Sequence, residues 1–566
     1  MDLQTLNPLS HPKQPASRKI LQYLFKTIAY VSAILLVGAI LAGLPIQIGH
    51  WHCKLKNFKP FFLVFIAASI LSAWFSKKNG REGIISLRDK FQTWASEPQA
   101  LWSLFIVASL FFTWQQITEY LSLQINFLPF SFFDYMLYYY FHGKIHFTGQ
   151  LHTFYHINNI MFLIAPLWAI FKSSLVLIIT YGPLAALGIF PLAGIVRKRF
   201  GNASIAWVIA FIYLNYRYLQ NVLQMNFCVE IFYPLFIFCA VNELLARRWK
   251  TYYLFVVLGL LVKEDSFIYF SGIGLLTALT PKNTDGKRCG WFHGAATIIL
   301  SCAYFIFITK FFIPWTGNTV LRENYHNFGD HISSGADLIA EYAREPMRVI
   351  KIFFGDPAKI RTYLNLLFRV AFLPFFTPAG LLILVPIFPV FAHSTGRDTD
   401  FYDLHFHYAA TVFPFVFIAF VFGFSNLYRK IAARWREIFL WSVLLLLSIL
   451  NSGHFRTERF TPEDIKSIRW AKEVPWADNV LTHGHLLPYI GYHEYNYYFA
   501  QPWEDPKHPA HLNYVHADYV LLDKHVNPYP WDAAQVERKL TEYQNNPEYE
   551  SVMTDGTRTL FKRKNK

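Results

Sequence analysis

The chain has 566 residues, of which 54% are hydrophobic and only 16% charged, with a mean hydropathy of +0.25. A soluble domain carries roughly 25% charged residues, so this composition excludes an ordinary cytosolic protein. The formal charge of +15 does not point to nucleic acid, because the basic residues fall mostly in short clusters between apolar runs, as membrane topology requires.

The first apolar run follows a long polar lead, MDLQTLNPLSHPKQPASRK, and no small-residue cleavage site follows it. It therefore reads as an uncleaved membrane helix. A spanning helix needs about 20 mostly apolar residues. By that rule spans are expected near 27–46, 60–76, 100–118, 174–196, 203–221, 228–246, 251–263, 265–281, 291–312, 364–378, 379–393, 407–426 and 436–451. That is about thirteen, with the pairs around Lys263 and Pro378 made of short pieces. The basic stretches at 17–19, 77–90, 197–201, 246–250, 281–288 and 428–436 all fall on one side if 156–171, HINNIMFLIAPLWAIF, lies on the surface instead of crossing. The N-terminus is then cytoplasmic, the C-terminus is outside, and polar regions 119–173, 313–363 and 394–406 face outward. Cys228, Cys239 and Cys302 sit in apolar runs and read as small core residues.

Beyond residue 451 the hydropathy falls, and a tail of roughly 115 residues is long enough for a small domain. TPEDIKSIRWAKEV opens with Thr461 as N-cap, Pro462 at the first helical position and Asp464 at the third. NVLTH and ADYVLLD read as buried strands, WDAAQVERKLTEYQNN as a helix, and YESVMTDGTRTLFKRK as a hairpin across Asp-Gly. The expected organisation is an N-terminal region 1–99 with two spans, a membrane domain 100–451 and a soluble α/β domain 452–566 on the outer side.

Two stretches carry candidate chemistry. Lys263, Glu264 and Asp265 interrupt an apolar run, and ionisable residues in membrane segments pair, line a cavity or serve transport. One reading pairs Lys263 with Glu264 or Asp265, or lets it snorkel to the interface. The other aims it at an anionic group at the lipid–water boundary. The second stretch is FSFFDYMLYYYFHGKIHFTGQLHTFYHINN, where Asp134 stands alone among aromatics. A carboxylate in apolar surroundings has a raised pKa and can serve as a general base. Asp134 reads equally as a helix cap or a partner of Lys144. His152 and His156, four apart, can share a helical face, but no metal-ligand pattern accompanies them. Arg217, Glu230, Arg322, Arg397, Asp398, His405 and His407 are further polar groups on or near the outer side. A plain interfacial anchor accounts for any one of them.

FFDYMLYYYFHG, FYHINNIMFLIAPLWAIF, LLVKED and HFHYAATVFP, in that order, resemble a prokaryotic membrane-protein family, domain of unknown function 2079, across about 130–415. That family is thought to be related to the GT-C glycosyltransferases, multispanning enzymes that take sugar from a polyprenyl-phosphate donor outside the cytoplasmic membrane. The resemblance implies a GT-C-like helical bundle in a bacterial inner membrane. It gives Asp134 the role of base or of orienting the acceptor, and Lys263 that of holding the donor phosphate. Arg217 and Arg397 are further cations expected at that phosphate, and Glu264, Asp265, Glu230, His152, His156, His405 and His407 are expected around the site. A divalent metal, Mg or Mn, held by Asp134, Glu230 and Asp265 stays open. The chain departs from the family where Phe-His-Pro-Glu is common: it reads Phe227-Cys228-Val229-Glu230. Membrane lipids are expected partners, and nucleic acid is not. The competing readings are a transporter or lipid-binding protein, for which no inverted repeat is visible, and a scaffold whose tail binds a partner.

Overall fold

The computed structural model describes residues 16–42, 45–48, 51–54, 64, 67–72, 74, 80–141, 158–280, 289–312, 340–341, 343–393, 404–405, 407–451, 458–475, 477–492, 495–499, 515–528 and 531–564. The chain divides into two compact units, 1–102 with 452–455, and 103–451 with 456–566. The first contains helix α1 (Ala16–Ala42), an antiparallel pair β1 (Pro45–Ile48) and β2 (Trp51–Lys54), and helix α2 (Gly80–Ser96).

The second unit combines the membrane helices with the C-terminal sheet. Helix α3 (Pro98–Leu121), whose first turn belongs to the other unit, leads to α4 (Phe127–Phe141). A 3-10 turn Asn159–Leu163 and the short α5 (Ala165–Phe171) come next. Then follow α6 (Leu175–Leu187), α7 (Ile189–Phe200), α8 (Ala203–Leu214) and α9 (Arg217–Leu223). After a 3-10 turn at Val229–Ile231 come α10 (Phe232–Ala246), α11 (Trp249–Leu260), α12 (Ser266–Leu279) and α13 (Cys289–Phe307), the last extended by a π-turn to Phe312. The membrane part ends with α14 (Pro346–Phe354), α15 (Pro357–Phe368), 3-10 turns at Leu373–Phe376 and Pro378–Ile383, α16 (Leu384–His393), α17 (Tyr408–Lys430) and α18 (Ala433–Leu450).

The chain is mainly helical, and among the described residues five helices are long and apolar enough to cross a membrane: 98–121, 175–200, 229–246, 290–312 and 408–430. The expectation of about thirteen spans meets shorter pieces elsewhere. The run 203–221 breaks at Asn215 and Tyr216 into α8 and α9, and 364–393 becomes the end of α15, two 3-10 turns and α16. Within the run at 156–171, a 3-10 turn at Asn159–Leu163 is continued by α5, with Pro166 in its first helical turn.

α17 is the axis of the bundle, with most of its residues buried. It packs so closely on the turn at 373–376 that a Cβ on Gly423 would collide with the Leu373 carbonyl oxygen. Tyr213 of α8 and Tyr216 meet Phe417 edge-on, centroids 5.6 and 5.0 Å away. α12 and α13 cross through Gly274 and Gly294, where small residues let two backbones approach. α13 presents most of its surface outward, which is why Cys302 is exposed there while Cys228 is buried in the bundle as expected. Three basic stretches meet at one end of the bundle. Arg199 donates to Asn426 Oδ1 at 3.1 Å, Lys198 donates to Asn242, and Arg429 donates to the Arg199 carbonyl at 3.2 Å.

The C-terminal part is α/β. Its elements are α19 (Pro462–Lys472), β3 (Asn479–Thr482), β4 (Tyr495–Tyr498), β5 (Tyr519–Asp523), α20 (Ala533–Asn545), β6 (Tyr549–Thr554) and β7 (Arg558–Arg563). The sheet order is β4-β3-β5-β7-β6, parallel over the first three strands and antiparallel over the rest. The capping box between Thr461 and Asp464 forms, and the hairpin turns with Gly556 at φ 86°, a conformation glycine adopts without strain. The sheet core includes Phe127 and Tyr135 of α4, so α4 is shared between bundle and sheet.

Candidate functional site

Two buried polar centres lie in the second unit, joined by the segment 159–171. The first is Asp134. α4 carries it with only 5% of its surface exposed, among Phe132, Phe133, Tyr135 and Met136. Trp168 Nε1–H of α5 donates to its Oδ1 at 3.1 Å, and the Tyr492 hydroxyl, from the loop before β4, donates to the same oxygen at 2.8 Å. Among the described residues no donor reaches Oδ2. Burial pushes the carboxyl up to about 7, while the hydrogen bonds from Tyr492 and Trp168 pull the other way. One oxygen is thus anchored twice, and burial raises the group's proton affinity. The alternative of a helix cap does not hold, because Asp134 lies inside α4; Lys144 is outside the described residues.

The second centre is built on the break between α11 and α12. Lys263 Nζ donates to Glu230 Oε1 at 3.0 Å, with both side chains over nine-tenths buried. His407 Nε2, just before α17, lies 3.7 Å from the same Oε1. Asp265 accepts from the Tyr233 hydroxyl on Oδ1 at 2.8 Å and from the Tyr269 hydroxyl on Oδ2 at 3.1 Å. Glu264 is buried, with the Tyr304 phenol of α13 close by. The expectation that Glu264 or Asp265 binds the lysine is therefore corrected. Neighbours on one tight turn point in different directions, and the carboxylate that reaches Nζ comes from 33 residues upstream.

The segment 159–171 touches both centres. Ile160 N–H donates to the Leu261 carbonyl at 2.8 Å, and eight residues later Trp168 holds Asp134. One short segment thus makes a backbone contact beside the Lys263 turn and a side-chain contact to Asp134.

Sequence reading missed a third group. Asn226, at φ 61°, a conformation Asn tolerates, donates to Gln116 Oε1 at 2.9 Å and Glu119 Oε2 at 2.6 Å. Its Oδ1 accepts from Asn126 N–H at 2.7 Å. The loop 224–231 is thereby pinned to α3 at one end and to Lys263 at the other. Cys228 faces the Tyr181 hydroxyl at 3.2 Å. Polar Gln115, Gln116 and Glu119 inside an apolar helix were the available signal for this network.

Arg217 is exposed at the start of α9, and His405 is half-buried. The Leu404 carbonyl accepts from Asn221 at 3.1 Å, which ties the segment before α17 to α9. Arg397, His152 and His156 lie outside the described residues, as do Arg322 and Asp398. The carboxylates of Asp134, Glu230 and Asp265 each have separate partners. Among the described residues no three His, Cys, Asp or Glu side chains gather to hold a metal ion, so these three carboxylates do not fit Mg or Mn.

Apolar helices of spanning length around buried charged centres define a multispanning membrane protein. The family described as predicted membrane protein, domain of unknown function DUF2079, matches residues 119–557, and the chain belongs to it. The match runs through both centres and four of the five strands of the C-terminal sheet, ending just before β7. No curated protein matches the chain by sequence.

Proposed function

We propose that the protein is a GT-C-like glycosyltransferase that moves a sugar from a polyprenyl-phosphate donor to an acceptor on the outer face of a bacterial cytoplasmic membrane. The observation that carries the reading is Asp134: a buried carboxylate with Oδ1 fixed by two donors, no donor on Oδ2 among the described residues, and a proton affinity raised by burial. Oδ2 takes the proton of the acceptor hydroxyl as its oxygen attacks the anomeric carbon. The bond from that carbon to the phosphate oxygen breaks, and the electron pair leaves with the polyprenyl phosphate. Cations at the leaving group supply the electrostatic part of the catalysis. Arg217 and Arg397 take that role in this reading. Lys263 is paired with Glu230 two residues after Leu261, whose carbonyl accepts from Ile160 of the segment that carries Trp168.

The test is transfer of radiolabelled sugar from polyprenyl-phosphate donors in proteoliposomes. Asp134→Asn is expected to lower the rate about 10²–10⁴-fold, the usual worth of a general base. A folded Asp134→Asn protein that transfers at the wild-type rate refutes the assignment. The buried ionic centre at a helix break also suits a transporter, in which broken helices form the substrate site. Solute flux through proteoliposomes without sugar transfer would select that second reading.

A further inference from the structure

Among the described residues, the C-terminal domain reaches Asp134 through Tyr492. Tyr492 lies 358 residues beyond it in sequence, yet its hydroxyl makes the shorter of the two hydrogen bonds to Oδ1. Its ring stacks on Tyr138 with centroids 4.6 Å apart, and meets Trp168 edge-on at 5.5 Å and Tyr135 at 6.1 Å. The segment before it is docked as firmly. Tyr489 donates to the Tyr120 carbonyl, His485 Nδ1 lies 3.1 Å from the Leu123 carbonyl, and the Tyr135 hydroxyl donates to the Leu487 carbonyl at 3.3 Å. After it, Asn496 Nδ2 donates to the Tyr135 hydroxyl at 2.6 Å. Gly484 sits against the Phe127 ring so closely that a Cβ there would collide with it.

From this geometry we infer that Tyr492 is a positioning residue: the C-terminal domain completes the Asp134 centre by holding Oδ1 and turning Oδ2 toward the acceptor. The inference deepens the transferase reading and rests on it for the identity of the acceptor, but the Tyr492–Asp134 contact is measurable without it. A hydrogen bond to the ionised form favours that form, so Tyr492 makes Asp134 a stronger acid than burial alone would leave it. Among the described residues, the phenols of Tyr120 and Tyr492 are titratable groups that interact with Asp134. Tyr492 stays protonated through the neutral range, because burial pushes its phenol well up, so it does not change charge while Asp134 titrates.

The experiment is an infrared titration of the carboxylic C=O band in the full-length protein in nanodiscs, with Asp134→Asn identifying the band. Tyr492→Phe keeps the ring and removes the donor. It is expected to move the Asp134 midpoint upward by about one pH unit, the worth of one hydrogen bond to a charged acceptor. The acid limb of the transfer rate should move upward with it. A fluorinated tyrosine at position 492, a stronger donor of nearly the same shape, is expected to move the midpoint downward. It serves as the test if Tyr492→Phe does not fold. An unchanged midpoint in both variants overturns the inference, even if transfer depends on Asp134. Shifted midpoints with no sugar transfer at any pH uphold the inference and refute the transferase reading instead.

Discussion

Breaking the Lys263–Glu230 pair tests how the second centre is built. The two groups meet at 3.0 Å with side-chain exposures of 7% and 6%, so neither charge has water to fall back on. Removing one partner leaves the other buried and uncompensated, at a cost of about 3–5 kcal/mol. Glu230→Gln and Lys263→Met should each show a loss of that order. Replacing both removes the orphan charge, so the double variant is expected to lie within about 2 kcal/mol of wild type. His407, 3.7 Å from the same oxygen, adds an asymmetry. When protonated it can stand in for Lys263, so Lys263→Met should be milder in acid than at neutral pH, while Glu230→Gln should not. The assay is unfolding in mixed SDS micelles followed by tryptophan fluorescence. A double variant whose loss equals the sum of the singles, or singles that are each neutral, would refute the pairing.

The remaining predictions concern pH, packing and the tail. Asp134 has its folded pKa raised from 3.8 to about 7. Its contribution to stability is therefore full below about pH 4 and lost as pH rises through 7, about 4 kcal/mol as an upper bound. Asp134→Asn should accordingly gain stability relative to wild type over that window, and an unchanged difference across it would show that the carboxyl titrates normally. His483 behaves in the opposite sense: burial lowers it from 6.5 to about 4, so stability is full above 6.5 and lost as pH falls toward 4. His483→Phe should flatten that acid slope, worth about 3 kcal/mol, when hydrogen exchange is followed at β3 and β5. Gly423→Ala should destabilise by about 1–3 kcal/mol or more, because the atom it would strike is backbone and cannot rotate away. Thermal unfolding in detergent that matched wild type would sink that expectation. Deleting 456–566 should shift the Asp134 infrared midpoint and expose Phe127 and Tyr135, and retained transfer by such a protein would show that the tail is dispensable.

Periodicity and composition alone were enough for membrane helices, for a helix break at Lys263, and for an α/β tail with its Thr461 cap and Asp-Gly hairpin. Each of these is a local matter: apolar length, a capping residue, a turn that needs glycine. The strand β4 escaped notice because YNYY lacks the apolar alternation of a half-buried strand, and its partner β3 supplies the register. Asp134, Lys263 and Glu230 could be named as polar groups in apolar surroundings. Their partners could not be assigned, since packing chooses them: Glu230 over the adjacent Glu264 and Asp265, Tyr233 and Tyr269 for Asp265, Tyr492 for Asp134. The sequence by itself determined which side chains are too polar for their surroundings. Only the tertiary structure decided who satisfies them, because a buried charge must find a donor or counter-charge within hydrogen-bond reach, and that reach is set by how distant helices and the C-terminal sheet come together.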